Sequence, residues 1–510
     1  MSKTKPIILA GIMLLLSFGL LWAGGGKETA AVQKVQRPLN FVLQGNPDTL
    51  DPQKTAGTLT FQTVKSFYDT LVEPDKSGKI VPALAESWTV SDDGLVWTFK
   101  LRSGVTFHNG DPLTSADVKA SFERILDPAV ASPKAGDFGP ITSVATPDAS
   151  TAVITLKTPF APFIGTLASG WAAILPASLI QSGHDFSSQP VGTGPYIFQE
   201  WVRDGKITMK KNPSYWMPGL PMVETVVLNI IPELSVGVQG VLSGQLDIMT
   251  QLSANDLPIL EASPDVTVEK DLSAMILVLS MNCSAPGLDD LRIRQAVNYA
   301  IDKQKVLDLV YGGGEITGTF MDPSNAYYKD FTGLYPYNPD KARSLLAQAG
   351  AAAQREFVMY LPQNYEQHVQ AGEVYQEMLT KVGLNVKIQL IDWSTWLSDV
   401  YRGGKYDFTV IGHTGKLDPD GTLGGYGSPE RYVRWNSPQA LDLINKGKVA
   451  RTFEERKALY DGALELMAKE VPFVFLGAPY VYSAHRNDVT GFFMTPKLDT
   501  FDFRWVKIGE

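Results

Sequence analysis

Between Phe357 and Gly412 the apolar pattern of the chain changes period four times. Phe357 to Leu361 alternates as a strand, and Glu366 to Val382 repeats at helical spacing. Val386 to Ile391 is strand-like again, Thr395 to Arg402 helical, and Asp407 to Gly412 a third strand. Such a βαβαβ unit buries its strands under crossover helices and so dictates a largely parallel sheet. Ligands of open α/β sheets sit outside the carboxyl ends of the strands. Two loops leave that edge, His413-Thr414-Gly415-Lys416 and Asp392-Trp393, and a site is expected there.

The segments around this unit extend it into an α/β lobe. Asp290 to Val310 reads as one amphipathic helix, with Gly312 just beyond its end. Pro339 to Ala349 is a helix capped by Asn338 and ended by Gly350. Helices are expected near Gln439 to Lys448 and Phe453 to Lys469, then a strand from Val471 to Leu476. The earlier part of the chain is different. There, short alternating strands such as Val96 to Leu101 and Val153 to Leu156 are punctuated by Asp93-Gly94, Asn109-Gly110 and Asp204-Gly205. Thr114 to Leu126 is a helix, with Thr114 as its cap and Asp117 in its first turn. At 510 residues the chain is too long for one ordinary core, so at least two lobes are expected.

The first residues have the layout of an export signal. Lys3 and Lys5 precede an apolar run from Ile7 to Trp22, and Ala23, Gly24, Gly25 and Gly26 follow. Lys27 to Pro38 is polar and reads as a tether. Leu20-Leu21-Trp22-Ala23 resembles a bacterial lipobox with alanine in place of the lipidated cysteine. The segment is therefore either cleaved or kept as an anchor, although it is slightly short of the ~20 residues of a spanning helix. The remainder is expected to be periplasmic or otherwise extracytoplasmic.

Several chemistries have no visible basis. A net charge of −9 argues against nucleic acid as a partner. One cysteine, Cys283, permits neither a disulfide framework nor a cysteine metal cluster. The five histidines are not spaced three or four apart, and no Gly-x-Ser-x-Gly elbow occurs. Gly412-His413-Thr414-Gly415-Lys416 lacks the first glycine of a phosphate loop, since that position is Val410. Neither a cofactor nor a resident metal is expected.

A series of motifs then carries a resemblance. Leu50-Asp51-Pro52 is followed by Tyr68-Asp69-Thr70-Leu71-Val72-Glu73-Pro74 and by Pro82-Ala83-Leu84-Ala85-Glu86-Ser87-Trp88. The stretch from Phe99 to Gly110 comes next. Val191-Gly192-Thr193-Gly194-Pro195-Tyr196, Asn212-Pro213-Ser214-Tyr215-Trp216 and Arg292 to Lys303 complete the order. The chain resembles the family 5 extracellular solute-binding proteins of bacterial ABC importers, the peptide and nickel class. The resemblance implies a two-lobed periplasmic-binding-protein fold of type II. Lobe I would hold 38–68, 191–271 and 483–510, an extra β-rich region 69–190, and lobe II 272–482, after a signal at 1–26 and a tether at 27–37. It also implies a monomer that closes by hinge motion on a small solute or short peptide and delivers it to an ABC permease and, through that, to the ATPase.

The same resemblance nominates ligand contacts. Trp393 matches the tryptophan that lines the pocket of peptide binders. Their second loop reads Gly-Trp-x-x-Asp and then Asp-Pro, with the aspartate on the peptide ammonium. Here His413 replaces the aromatic residue and Lys416 falls in place of that aspartate, with Thr414, Gly415 and Asp418 nearby. The charge reversal disfavours an ordinary peptide pose and suits an anionic or hydroxyl-rich solute. An oligosaccharide and a metal chelate, the latter through His413, stay open as ligands. Tyr426 between Gly425 and Gly427 is expected to close over ligand, and Thr58 and Leu59 to face it from lobe I. Trp88, Trp97, Trp396 and His108 are expected to be structural. A secreted hydrolase using Asp418 and Asp420 is the remote alternative; Pro419 between them argues for a rigid turn.

Overall fold

The computed structural model describes residues 37–76, 78–253, 255–495 and 500–509. The expected signal and tether therefore lie outside the described residues, apart from Arg37. Among the described residues no helix is long and apolar enough to cross a membrane.

Leu39–Leu43 is a buried strand that pairs in parallel with Thr225–Ile230 on one side and with Ile248–Thr250 on the other. Lys206–Lys211 and Tyr196–Val202 extend the sheet as an antiparallel hairpin. The aromatic side of Leu39–Leu43 is filled from the far end of the chain: the Phe41 ring lies 4.5 Å from Phe501, 5.2 Å from Phe503 and 5.7 Å from Phe492. Burying rings of this size is a dominant stabilising contribution. Beside this core Arg504 is buried between Asp502 (2.6 Å) and Glu73 (3.0 Å), so each desolvated charge has a partner.

A separate four-stranded antiparallel sheet runs in the order Ala85–Val90, Val96–Leu101, Thr151–Leu156, Ile141–Asp148. Trp97, Phe99 and Leu101 point into its core, as their period-two spacing demands. The helix Ser115–Leu126 covers it with Val118, Phe122 and Ile125. Asp117 closes the cap by accepting from the Thr114 backbone amide at 2.7 Å. This core runs from Leu71 to Ile174; Leu175 and Phe186 pack instead with the Leu39–Leu43 core.

The third body carries the βαβαβ unit. Asn385–Ile391 and Phe408–His413 flank Glu356–Pro362, both in parallel, and Glu366–Lys381 is the crossover helix. Ile276–Met281 then joins antiparallel. The helix expected over 290–310 is two helices, Leu291–Ala300 and Lys303–Tyr311. Asp302 breaks the run because its carboxylate accepts from the Lys305 amide and caps the second helix.

One strand joins the bodies. Phe473–Arg486, fourteen residues long, pairs with Ile276–Met281 through its first half and with Val266–Leu272 and Ile248–Thr250 through its second. It was expected to end near Leu476. At its middle Gly477 has φ 151°, and a Cβ there would lie 2.3 Å from the Glu315 carbonyl oxygen, so only glycine fits. A second crossing, Ser273 to Met275, lies alongside, with the Ser273 amide donating to the Pro479 carbonyl at 2.9 Å.

Candidate ligand-binding site

The strand Phe408–His413 delivers the loop Thr414 to Asp418 to the carboxyl edge of its sheet. Gly415 lets this loop press against the crossing segment, since a Cβ there would lie 2.6 Å from the Ala274 carbonyl oxygen. The side chain of Asp418 accepts from the Asp420 amide at 2.9 Å and caps the short helix Pro419–Leu423. Gly421 leaves room for the stem of Lys416, whose Cβ and Cγ lie 3.0 Å from where a Cβ would stand.

Thr414, Gly415, Lys416 and Asp418 line one cavity of about 480 Å3, together with Asp420. The facing wall comes from outside this lobe. Ala56 and Phe61 belong to the first body, and Lys134, Asp137, Phe160 and Trp171 to the β-rich one. Phe61 packs edge-on to Trp171 at 4.3 Å, and the indole Nε1 of Trp171 donates to the Thr55 carbonyl at 2.8 Å. Lys134 lies 4.6 Å over the Trp171 ring and 3.5 Å from Asp137.

The carboxylates on the loop side are matched by cations. Arg456 donates to Asp418 at 2.8 Å and also holds the Gly447 carbonyl and the Tyr327 hydroxyl. Lys448 stands 3.7 Å from Asp420. Burial pushes the Asp418 carboxyl up, opposed by Arg456, and does the same to Asp420, opposed by Lys448. Two such fixed, paired carboxylates are not arranged as an acid and base.

The walls also touch each other directly. The Ala161 amide donates to the Lys448 carbonyl at 3.0 Å, and the Lys448 ammonium lies 5.3 Å from the Phe160 ring centre. Leu417 packs against the β-rich core, and a Cβ on Gly165 would lie 3.8 Å from that of Leu417.

Five expected contacts lie elsewhere or are not described. Tyr426 does not close over a ligand; its ring is fully buried, stacked 5.5 Å from Phe320. Its flanking glycines serve packing and backbone shape rather than movement: Gly427 has φ 90°, and a Cβ there would meet Ser437 and Leu441. His413 turns into the same aromatic core, 5.0 Å from Phe320, and its Nε2 pairs with the Tyr432 hydroxyl at 2.8 Å. Burial, and then the charge of Arg431, pushes its imidazole down to about 3. Trp393 stacks on Trp396 at 4.8 Å and meets Tyr365 at 5.3 Å, apart from the cavity walls. Leu59 lines a different pocket, and Thr58 opens the helix Thr58–Val64, its side chain lying outside the described set. Trp396 is buried and donates to Thr409, and His108 pairs with the Gly194 carbonyl, both as structural residues. Among the described residues no group of three metal-ligating side chains occurs. Sequence reasoning missed Lys134, Asp137, Phe160 and Trp171, which no local pattern marks.

Residues 79–432 match the model of the bacterial extracellular solute-binding proteins, family 5. The chain is 30% identical over 465 residues to the glutathione-binding protein GsiB of Escherichia coli O1:K1, covering 88% of this chain and 91% of that protein. It is 30% identical to di/tripeptide-binding protein 1 of Pseudomonas aeruginosa, covering 96% and 97%. Among solved structures, the periplasmic binding protein AgaA of Agrobacterium tumefaciens R10, in complex with agropinic acid, superposes with a TM-score of 0.75 at 30% identity over 93% of this chain and 99% of that one. These matches, the two-lobed α/β fold and a cavity walled from both lobes agree: the chain belongs to the family 5 extracellular solute-binding proteins, the ligand-capturing subunits of ABC importers.

Proposed function

We propose that this protein captures a small solute bearing an anionic group in the cavity faced by Lys416 and Lys134. The lobes are then those named by resemblance, 38–68, 191–271 and 483–510 against 272–482, with 69–190 as the extra region. Two lysines that line one cavity from opposite walls carry the reading. Lys134 and Lys416 line the cavity, while its carboxylates Asp137, Asp418 and Asp420 stand beside Lys134, Arg456 and Lys448. A volume of about 480 Å3 suits a ligand of dipeptide to tripeptide size. The relatives that bind glutathione, di- and tripeptides and agropinic acid support a solute of this scale, and the last is an acid by name. In this reading the protein is a non-catalytic, extracytoplasmic monomer that hands its solute to a permease driven by an ATPase.

Calorimetric titration with glutathione, agropinic acid and short peptides, with and without Lys416→Asp, tests the reading. Reversing the charge costs an anionic ligand roughly 100-fold in affinity, about 2.7 kcal/mol. Unchanged affinity in Lys416→Asp for the tightest of these ligands would remove the lysine from the site.

A further inference from the structure

The helix Pro438–Val449 of the third body ends against the β-rich body. The carbonyls of a helix's last turn have no partner inside the helix. Here the Lys446 carbonyl accepts from the Ala450 amide at 2.9 Å, and the Gly447 carbonyl from Arg456 at 3.0 Å, both within the third body. The Lys448 carbonyl accepts instead from Ala161 of the β-rich body. The Lys448 side chain adds to this contact. Its ammonium lies 5.3 Å from the Phe160 ring centre, within reach of a cation–π attraction, and 3.7 Å from the Asp420 carboxylate. One residue thus holds the β-rich body through its carbonyl and its charge, and also balances a carboxylate of the ligand cavity.

A second grip lies beside the first. Leu417 packs onto the β-rich core, where Gly165 leaves room for it. Phe160, Gly165 and Leu417 line the cavity, so both grips are built from its wall. The course of the chain does not enforce either of them. Ser273 to Met275 and Phe473–Arg486 join the first body to the third. The β-rich core, from Leu71 to Ile174, is flanked in sequence on both sides by residues of the first body. It therefore meets the third body through noncovalent contacts alone. A rotation about the two crossings parts the grips without unpairing a strand.

We propose that the β-rich body is a latch: by gripping Lys448 and Leu417 it stabilises the closed arrangement of the lobes and so sets how long a captured solute is held. This rests on the capture reading above for the cavity as the solute's site, whereas the grips themselves need no solute. Nitroxides on cysteines at Lys119 and Lys381, in a Cys283→Ala background, report the separation of the β-rich and third bodies by pulsed dipolar spectroscopy. Both positions are exposed and helical. The native protein is expected to show a short distance that an excess of glutathione, agropinic acid or Gly-Gln enriches. Phe160→Ala and Lys448→Met each lower the ratio of short to long distances roughly fivefold, the weight of one cation–π contact. Lys448→Arg keeps the native ratio, and Phe160→Ala with Leu417→Ala lowers it roughly 25-fold. The Lys448 side chain is 44% exposed, so its replacement leaves the fold intact. A native protein that shows the long distance alone, with and without these solutes, overturns the latch. So does a distribution that the Phe160, Lys448 and Leu417 variants leave unchanged. A distribution that moves with the variants and with none of the three solutes upholds the latch and removes the cavity as the capture site.

Discussion

Cysteines placed at Gly165 and Leu417 test whether the contact between the β-rich region and the ligand loop is a closed state of the molecule. The two Cβ positions are 3.8 Å apart, the mean separation in disulfides. Gly165 lies within the helix Phe163–Leu167 and has no need of glycine conformation. The native thiol does not compete, since burial pushes Cys283 up to about 11. The bond closes a loop of roughly 250 residues, which in the chain-entropy account is about 5 kcal/mol of restricted unfolded state. Unfolding entropy of near 2.1 cal/mol/K per residue, over roughly 470 residues, converts this to a rise of about 5 °C in melting temperature. Truncating Leu417 offsets about 1 kcal/mol of it. Thiol counting and thermal melts under oxidising and reducing conditions read the outcome directly. A folded double variant whose thiols stay reduced in oxidant would show that the two walls do not meet in solution. A bond without a reducible rise in melting temperature would refute the entropic estimate.

Two further perturbations follow from buried groups. His413 stays neutral in the fold down to about pH 3, while its unfolded counterpart takes a proton near 6.5. Its contribution is therefore complete above pH 6.5 and is lost as the pH falls toward 3, amounting to roughly 2.7 kcal/mol by pH 4.5. His413→Phe is expected to flatten the fall in melting temperature between pH 7 and 4.5, and a slope equal to that of the native protein would contradict the burial argument. Gly477→Ala forces a methyl group against the Glu315 carbonyl and is expected to cost about 3 kcal/mol, near 3 °C in a thermal scan. A native melting temperature in that variant would show that the crossing strand has slack.

The parallel lobe was legible because its signals are local. Period changes within 357–412 report a strand, a helix and their order, and Asn338 and Thr114 mark helix starts by side-chain chemistry that acts over three residues. The charged loop was legible too, since Lys416 and Asp418 follow directly from a strand end. What stayed hidden depends on distant partners. Nothing near Lys134 or Trp171 announces that a loop more than two hundred residues later will face them. The glycines around Tyr426 read as freedom, yet Gly427 is required by neighbours at Ser437 and Leu441. His413 and Trp393 occupy the expected strand ends, but their rings turn toward Phe320 and Trp396, a choice made by packing rather than by position. The strand Phe473–Arg486 was cut short in the reading because its second half, from Pro479, has no uniform apolar run; a different sheet accepts it there.

The ring cluster around Phe41 has a consequence for the order in which the protein is made. This phenylalanine leaves a ribosome more than 400 residues before its packing partners Phe492, Phe501 and Phe503. Contacts so far apart in sequence form late, because the intervening chain must first be ordered. The aromatic side of Leu39–Leu43 therefore stays unfilled until those rings have been made, although its backbone can pair earlier with Thr225–Ile230 and Ile248–Thr250. The four-stranded β-rich sheet, whose strands lie within 85–156, has no such wait. A nascent chain of this design keeps one face of that strand uncovered, and the core around Phe41 closes only when Phe492, Phe501 and Phe503 arrive.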